Sequence, residues 1–366
     1  MKQKIGIITF HRSYNYGSAL QAYALQKYLI AKGTDVTIID YIMIDNFSQY
    51  KLFHPQYYCN NIRMLASDVL YFFPNFKRKT AFEKFVKDNF NLTEKRYYKC
   101  KDMEELNQLF DVFICGSDQI WNFNCTKGLE PAYFLGFVNR HKIKIAYAPS
   151  LAHTTFDANF DKDLKEYLKD FKAISVREKS TKEIIEKVSP IAVEIVLDPT
   201  LLLEKDEYKK ITIVPSKKIS DYIFVYILEI NSKVIKYAEN LARDKNLSIA
   251  YISRKKIDFR VRSLNFYGCS PNEFLGLILK ATYVVTNSFH ATVFSVIFQK
   301  CFFTFPTEMS SARMRDFLNS IYLGDRIVSD SDVNIQTMNF EEAEKQLDYL
   351  RKKSETYLLG AINGRE

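Results

Sequence analysis

The 366-residue chain has little of what makes a polypeptide loose: 11 Gly, 9 Pro and no repeated or low-complexity tract. With 47% hydrophobic residues it has ample apolar surface to bury, which excludes disordered and collagen-like classes and makes long flexible linkers unexpected. It also lacks any uninterrupted apolar run of about 18 residues, so no spanning helix is expected. Met1-Lys2-Gln3-Lys4 runs straight into a strand pattern without the apolar core of a signal peptide. Six cysteines, Cys59, Cys100, Cys115, Cys125, Cys269 and Cys301, are scattered without zinc-finger or redox spacing. Reduced thiols, a cytoplasmic location and no metal site are the expectation.

What the chain does have is basic charge, 52 Lys plus Arg against 43 Asp plus Glu, a formal +9. Residues 51–101 hold 11 basic and 4 acidic side chains and 12 Phe and Tyr, so the basicity is one aromatic-rich patch. An anionic substrate, a membrane surface or nucleic acid each suit such a patch. No nucleic-acid module is recognisable, and nucleic acid is not expected as a partner.

Apolar runs of strand length alternate with helical periodicity. Residues 4–10, 35–41, 111–115, 142–148, 173–176 and 194–197 read as strands of one parallel sheet, with a helix over 17–32 closed by Gly33. The pattern restarts with strands at 221–228, 247–252, 283–286 and 301–305 and helices at 233–245 and 272–280. The expected fold is therefore α/β with two Rossmann-like domains facing a cleft. Residues 1–205 form the first, 206–330 the second and 331–366 a closing helix, with the boundary in the polar 203–220 stretch.

Ligands of parallel sheets bind beyond the carboxyl ends of the strands, so the residues just after each strand are the candidates. After the first strand, Gly17 permits close backbone approach and Asn15 or Ser18 can cap the helix, leaving amides for an anion or a sugar hydroxyl. After the third, Cys115-Gly-Ser-Asp-Gln-Ile-Trp-Asn122 places Asp118, Gln119 and Trp121 together. Carboxylate, amide and indole suit a carbohydrate; alternatively Asp118 caps a helix and Trp121 is core. Arg177 follows another strand as a candidate cation for phosphate or carboxylate, or else pairs with Glu178 on the surface. Asp198-Pro-Thr200 reads as a domain-joining turn, with a second cleft carboxylate as the alternative. In Thr286-Asn-Ser-Phe-His290, Asn287 or Ser288 caps a helix and His290 falls in its first turn, beside the positive helix end. Arg313 and Arg315 add cationic reach farther on.

In this order, Ile5-Gly-Ile-Ile-Thr-Phe10 with Asn15-Tyr-Gly-Ser18 and Leu20-Gln-Ala-Tyr-Ala-Leu25, then Gly116-Ser-Asp-Gln-Ile-Trp-Asn122, Ser175-Val-Arg-Glu178, Asp198-Pro-Thr200 and Thr286–His290 resemble the polysaccharide pyruvyl transferase family. The resemblance implies a fold similar to the GT-B glycosyltransferase type. It also implies transfer of a pyruvyl group from phosphoenolpyruvate, a co-substrate with no further cofactor, onto a saccharide acceptor as a ketal. His290 matches the family's histidine at the phosphoenolpyruvate site. Some members have Arg two residues earlier, where this chain has Ser288; an anion-binding Arg then comes from Arg177, Arg313 or Arg315. The roles expected are acid for His290, anion clamp for Arg177 and Arg313, and acceptor base or contact for Asp118. Asn15, Gly17, Ser18, Gln119, Trp121, Ser288 and Arg315 are expected to bind substrate. Rival readings are a nucleotide-sugar glycosyltransferase on the same scaffold and a non-catalytic glycan-binding protein. Lys77-Arg-Lys79 with Phe72, Phe73 and Phe76 is expected to dock on an anionic membrane carrying a lipid-linked acceptor; the alternative is an amphipathic helix that buries Phe82 and Phe85 with its lysines in water.

Overall fold

The computed structural model describes residues 2–43, 51–55, 62–152, 158–217, 219–307, 311–328 and 338–364. The strands are β1 Lys4–Ile8, β2 Asp35–Ile38, β3 Val112–Cys115, β4 Ile143–Ala146, β5 Ala173–Val176, β6 Val193–Ile195, β7 Tyr222–Tyr226, β8 Ser248–Ile252, β9 Ser263–Asn265, β10 Tyr283–Thr286 and β11 Cys301–Thr304. The α-helices are α1 Tyr16–Ala31, α2 Ile62–Leu70, α3 Phe72–Asn89, α4 Phe123–Thr126, α5 Ala158–Leu168, α6 Lys179–Ile185, α7 Lys205–Ile211, α8 Ser232–Asp244, α9 Pro271–Lys280, α10 Phe289–Ile297, α11 Ser311–Ser320 and α12 Phe340–Ile362.

The strands form two wholly parallel sheets, in the orders β2-β1-β3-β4-β5-β6 and β11-β10-β7-β8-β9. In the first, Ile5 sits opposite both Val36 and Val112; in the second, Val284 sits opposite both Phe224 and Phe302. Strands covered on both faces can be apolar throughout, which is why these runs show no alternation. The short β9, Ser-Leu-Asn, has no such run and is absent from the strands expected above, and α7 lies within the polar stretch taken as the boundary.

In each sheet the strand order reverses once, between β1 and β3 and between β7 and β10. Helices leaving to opposite faces open a crevice at such a point. The two crevices meet because α1 is apolar on nearly every side and is buried between the sheets. Its Tyr16 stacks on Phe274 of α9 with ring centroids 4.5 Å apart, and the Tyr16 hydroxyl donates to the Cys269 carbonyl at 3.0 Å. One continuous apolar core therefore spans both sheets. The closing helix α12 returns to the first sheet: the Ser354 hydroxyl accepts from the Leu197 amide at 2.9 Å, and Arg351 donates to the Leu201 carbonyl at 2.8 Å.

Candidate active site

Two helix N-termini converge at the junction of the crevices. Asn15, in extended backbone, caps α1 by accepting from the Gly17 and Ser18 amides at 2.9 and 3.4 Å, and Ser288 caps α10 by accepting from Ala291 at 3.4 Å. Asn287 is committed elsewhere, accepting from the Leu228 amide and donating to the Glu229 carbonyl. His290, in the first turn of α10, lies directly against Gly17. A Cβ at position 17 would fall inside the imidazole, 2.7 Å from Cε1 and closer still to Nδ1. Only glycine lets α1 approach so near, and both helix ends direct their positive poles at this corner.

Beneath His290 lies Asp198, fully buried, with its Oδ2 3.6 Å from His290 Nε2. The same oxygen accepts from Arg177 Nη1 at 2.6 Å and from the Ser117 hydroxyl at 3.2 Å, while Oδ1 accepts from the Thr200 amide and hydroxyl. Burial by itself would raise the Asp198 carboxyl pKa; the facing His290, the Arg177 charge and the Thr200 hydrogen bond hold it well below the usual range. Arg177 in turn has its guanidinium 4.8 Å from the Phe289 ring centre.

Above this layer opens a cleft of about 590 Å³. From the first sheet come Asp118 and Ser18, whose hydroxyl donates to Asp118 Oδ2. Asp118 has a left-handed backbone, φ 78°, pinned where its carbonyl accepts from the Ser150 amide at 2.9 Å. Such strain persists only where surrounding bonds enforce it. From α11 comes Arg313; with the Gln119 amide oxygen turned towards it, that oxygen accepts from both terminal nitrogens at 2.7 and 3.0 Å. Burial first, and then the like charge of Arg177, lower the Arg313 pKa, and an anion in the cleft would relieve both. Arg78, from the middle of α3, also lines the cleft and donates to the Tyr14 carbonyl. On the opposite wall Arg12 donates to Asp40 at 2.5 and 2.8 Å, beside His11 and Arg96. The cleft thus holds several fixed cations, one histidine at a helix terminus and one strained carboxylate. Among the described residues no group of three or more His, Cys, Asp or Glu side chains is placed to hold a metal ion.

The sequence profile of polysaccharide pyruvyl transferases matches residues 15–308, most of the chain, including Asn15, Gly17, Ser18, Asp118, Asp198 and His290. The chain belongs to the polysaccharide pyruvyl transferase family. No curated protein matches it. Among solved structures, MnaA of S. aureus bound to UDP aligns over 100% of this chain and 99% of its own, at 14% identity and TM-score 0.52. A putative UDP-N-acetylglucosamine 2-epimerase from Listeria monocytogenes aligns over 99% and 91%, at 11% identity and TM-score 0.49. An α-glucosyltransferase in complex with UDP and DNA aligns over 99% and 95%, at 9% identity and TM-score 0.49. The fold of this family member is GT-B, two Rossmann-like units with a cleft between them.

Several expectations for the pyruvyl transferase site need correction. Trp121 is not a sugar platform: it is fully buried, stacks on Phe134 at 4.9 Å and donates to the Tyr133 carbonyl. Arg177 is not a clamp open to the cleft, because it lies under Phe289 and is bound to Asp198. Arg315 points away, exposed on α11 without lining the cleft. Asp198-Pro-Thr200 makes a turn, and Asp198 also has the carboxylate role of the alternative reading, though beneath the cleft: it holds Arg177 and faces His290. Arg78 turns inward rather than serving a membrane face. His290, Asp118, Asn15, Ser18, Gln119, Ser288 and Arg313 do line the cleft, and Gly17 abuts it. His11 and Arg12 stand in the loop after β1, where only Asn15, Gly17 and Ser18 were weighted, and Asp40 was hidden because the second strand reads as far as Tyr41. It ends at Ile38, which puts Asp40 among the strand-end residues that deserved weight.

Proposed function

We propose that the protein transfers a pyruvyl group from phosphoenolpyruvate to two hydroxyls of one sugar, forming a cyclic ketal and releasing inorganic phosphate. The observation that carries this reading is the His290 corner: an imidazole at two helix N-termini, backed by Asp198 and flanked by Arg313. A sugar hydroxyl adds to the enol carbon and gives its proton to Asp118, while His290 delivers a proton to the methylene carbon, which becomes the methyl group. The C–O bond to phosphate then breaks, the second hydroxyl bonds to the same carbon, and its proton leaves with phosphate. Arg313, Arg78 and Arg12 hold the carboxylate and phosphate of the donor. Ser288, a helix cap here, supplies no cation, and Arg313 takes over that charge from the neighbouring helix. The location expected for such chemistry is where phosphoenolpyruvate is made, in the cytoplasm.

The test is incubation of the protein with phosphoenolpyruvate and a panel of free, nucleotide-linked and lipid-linked saccharides, followed by mass spectrometry and phosphate assay. A pyruvyl ketal with stoichiometric phosphate is expected. Transfer of a glycosyl unit from a nucleotide sugar, with no response to phosphoenolpyruvate, would replace the reading by a glycosyltransferase; saccharide binding without either reaction would leave a glycan-binding protein.

A further inference from the structure

Scattered exposed apolar side chains are ordinary, but a contiguous set is not. The turn between α2 and α3 carries such a set: Leu65, Val69, Leu70, Phe73 and Phe76 are all exposed, Phe73 by 78% and Leu70 by 72%. Phe72 joins them into one surface, with ring centroids 5.4 Å from Phe53, 5.4 Å from Phe73 and 6.0 Å from Phe76. The second sheet supplies a basic border. Arg254, in the loop after β8, lies 4.8 Å over the Tyr71 ring and donates to the Ser67 hydroxyl at 3.1 Å, which brings exposed Lys255 and Lys256 alongside. Exposed Lys77 borders the other side, and the one acid of α2, Asp68, is buried against His54. The crown is held firmly to both halves of the molecule, since the Tyr267 hydroxyl donates to Asn75 at 2.8 Å and Gly268 lies against the Pro74 carbonyl. Between crown and cleft runs a second pocket of about 780 Å³ that shares Arg12, Tyr14 and Ile42 with the cleft and reaches Lys51, Phe53 and Lys79.

We propose that this crown seats on an anionic lipid bilayer, with Leu70 and Phe73 entering the acyl boundary and Lys77, Lys255 and Lys256 lying on the headgroups. Among the described residues no helix is long and apolar enough to cross a membrane, so the contact is peripheral. Charge decides between a bilayer and a second copy of the chain. A symmetric dimer through this patch would bring the same lysine borders together, whereas anionic headgroups complement them. The cleft is then held near the surface, with the second pocket as the path from bilayer to site.

The test is sedimentation of the full-length protein with vesicles of phosphatidylcholine alone or mixed with phosphatidylglycerol, at low and high salt. Because binding alone is read, the outcome is independent of the pyruvyl transfer reading. The expected result is binding to the phosphatidylglycerol vesicles only, weakened by salt. A Lys255→Ser/Lys256→Ser variant loses roughly fivefold in affinity per lysine. A Leu70→Ser/Phe73→Ser variant loses roughly tenfold or more with its melting temperature unchanged, since both side chains are already in water. Absence of binding by the unaltered protein, or full binding by both variants, overturns the proposal. So does a concentration-dependent dimer, seen by ultracentrifugation, that the Leu70/Phe73 variant abolishes without any vesicle binding having been present.

Discussion

Two histidines face the same cleft, each beside an aspartate backed by arginine, and their surroundings give them different work. His11 has both ring nitrogens engaged, Nδ1 at 3.1 Å from the Thr9 carbonyl and Nε2 at 3.2 Å from Asp40. Its ring is locked into the wall. His290 has Nε2 3.6 Å from Asp198, too far for a hydrogen bond and without another partner among the described residues, and Nδ1 faces Gly17. The aspartates differ as well. Asp198 is sealed under the site, whereas Asp40 shares its charge with Arg12 and with Arg96, whose side chain is 40% exposed. A histidine whose ring is not tied by hydrogen bonds can turn and move a proton; one held at both nitrogens can only orient the loop around it.

The sharpest way to break this comparison is to replace each ring. His290→Gln is expected to lower kcat by about 10²–10⁴ with the fold intact, the range for loss of a general acid. His11→Gln is expected to lower the melting temperature and to leave most of the turnover. The reverse pattern would exchange the two roles.

Next come the aspartates. Asp198→Ala removes the carboxylate hydrogen-bonded to buried Arg177, leaves only Glu178 at 3.7 Å, and is expected to cost about 3 kcal/mol of stability. Asp40→Ala is expected to cost less, since water reaches Arg96 and screens the remaining charges. Urea unfolding of the two variants measures the difference, and equal losses would show that burial does not separate the two pairs.

Gly17→Ala isolates the approach of α1 to His290. In an open helix this change would stabilise by up to about 1 kcal/mol. Here the new methyl group meets the imidazole, and displacement of the ring is expected to reduce kcat/KM roughly 10²-fold, as a misplacement of about 1 Å does. A stable variant with unchanged kinetics would mean that the ring has room to move and that its packing does not set the rate.

The smallest expected effect is acid sensitivity. Burial would raise the Asp40 pKa, but hydrogen bonds and charge from His11 and Arg12 outweigh it, so in the folded chain both carboxyls sit below their ordinary values. A carboxyl lowered by folding adds stability above its unfolded pKa, and that contribution fades as the pH falls below about 4. The melting temperature should therefore drop with acid over that window, and Asp40→Asn should flatten the slope. An unchanged slope in the variant would place the acid sensitivity elsewhere.

The order of elements was legible because buried parallel strands must be apolar on both faces and their helices must follow. The runs at 173–176 and 283–286 coincide with β5 and β10 to the residue. The cap of α1 and the first-turn position of His290 were legible too, since both depend on neighbours within four residues. Trp121 and Arg177 were not. A residue one or two places beyond a strand can point into the cleft or back under it, and the sequence carries no sign of which. Arg78 was harder still, because it reaches the cleft from mid-helix, beyond any strand-end rule. Its placement depends on α3 packing against Tyr267, with which the guanidinium makes a cation–π contact at 5.5 Å.

By itself the sequence determined two α/β units, the boundaries of every strand but β9 to within a few residues, and the first-turn position of His290, all products of local periodicity and capping. The tertiary structure alone decided which charges meet. Asp198, Arg177 and His290 come from three separate elements and share one buried layer only because α1 and α10 abut across Gly17. It also turned the basic 51–101 stretch into two surfaces. Arg78 was drawn inward to the cleft, and Phe73 and Lys77 were left outward, because α3 lies on the outside of the core and buries only one face.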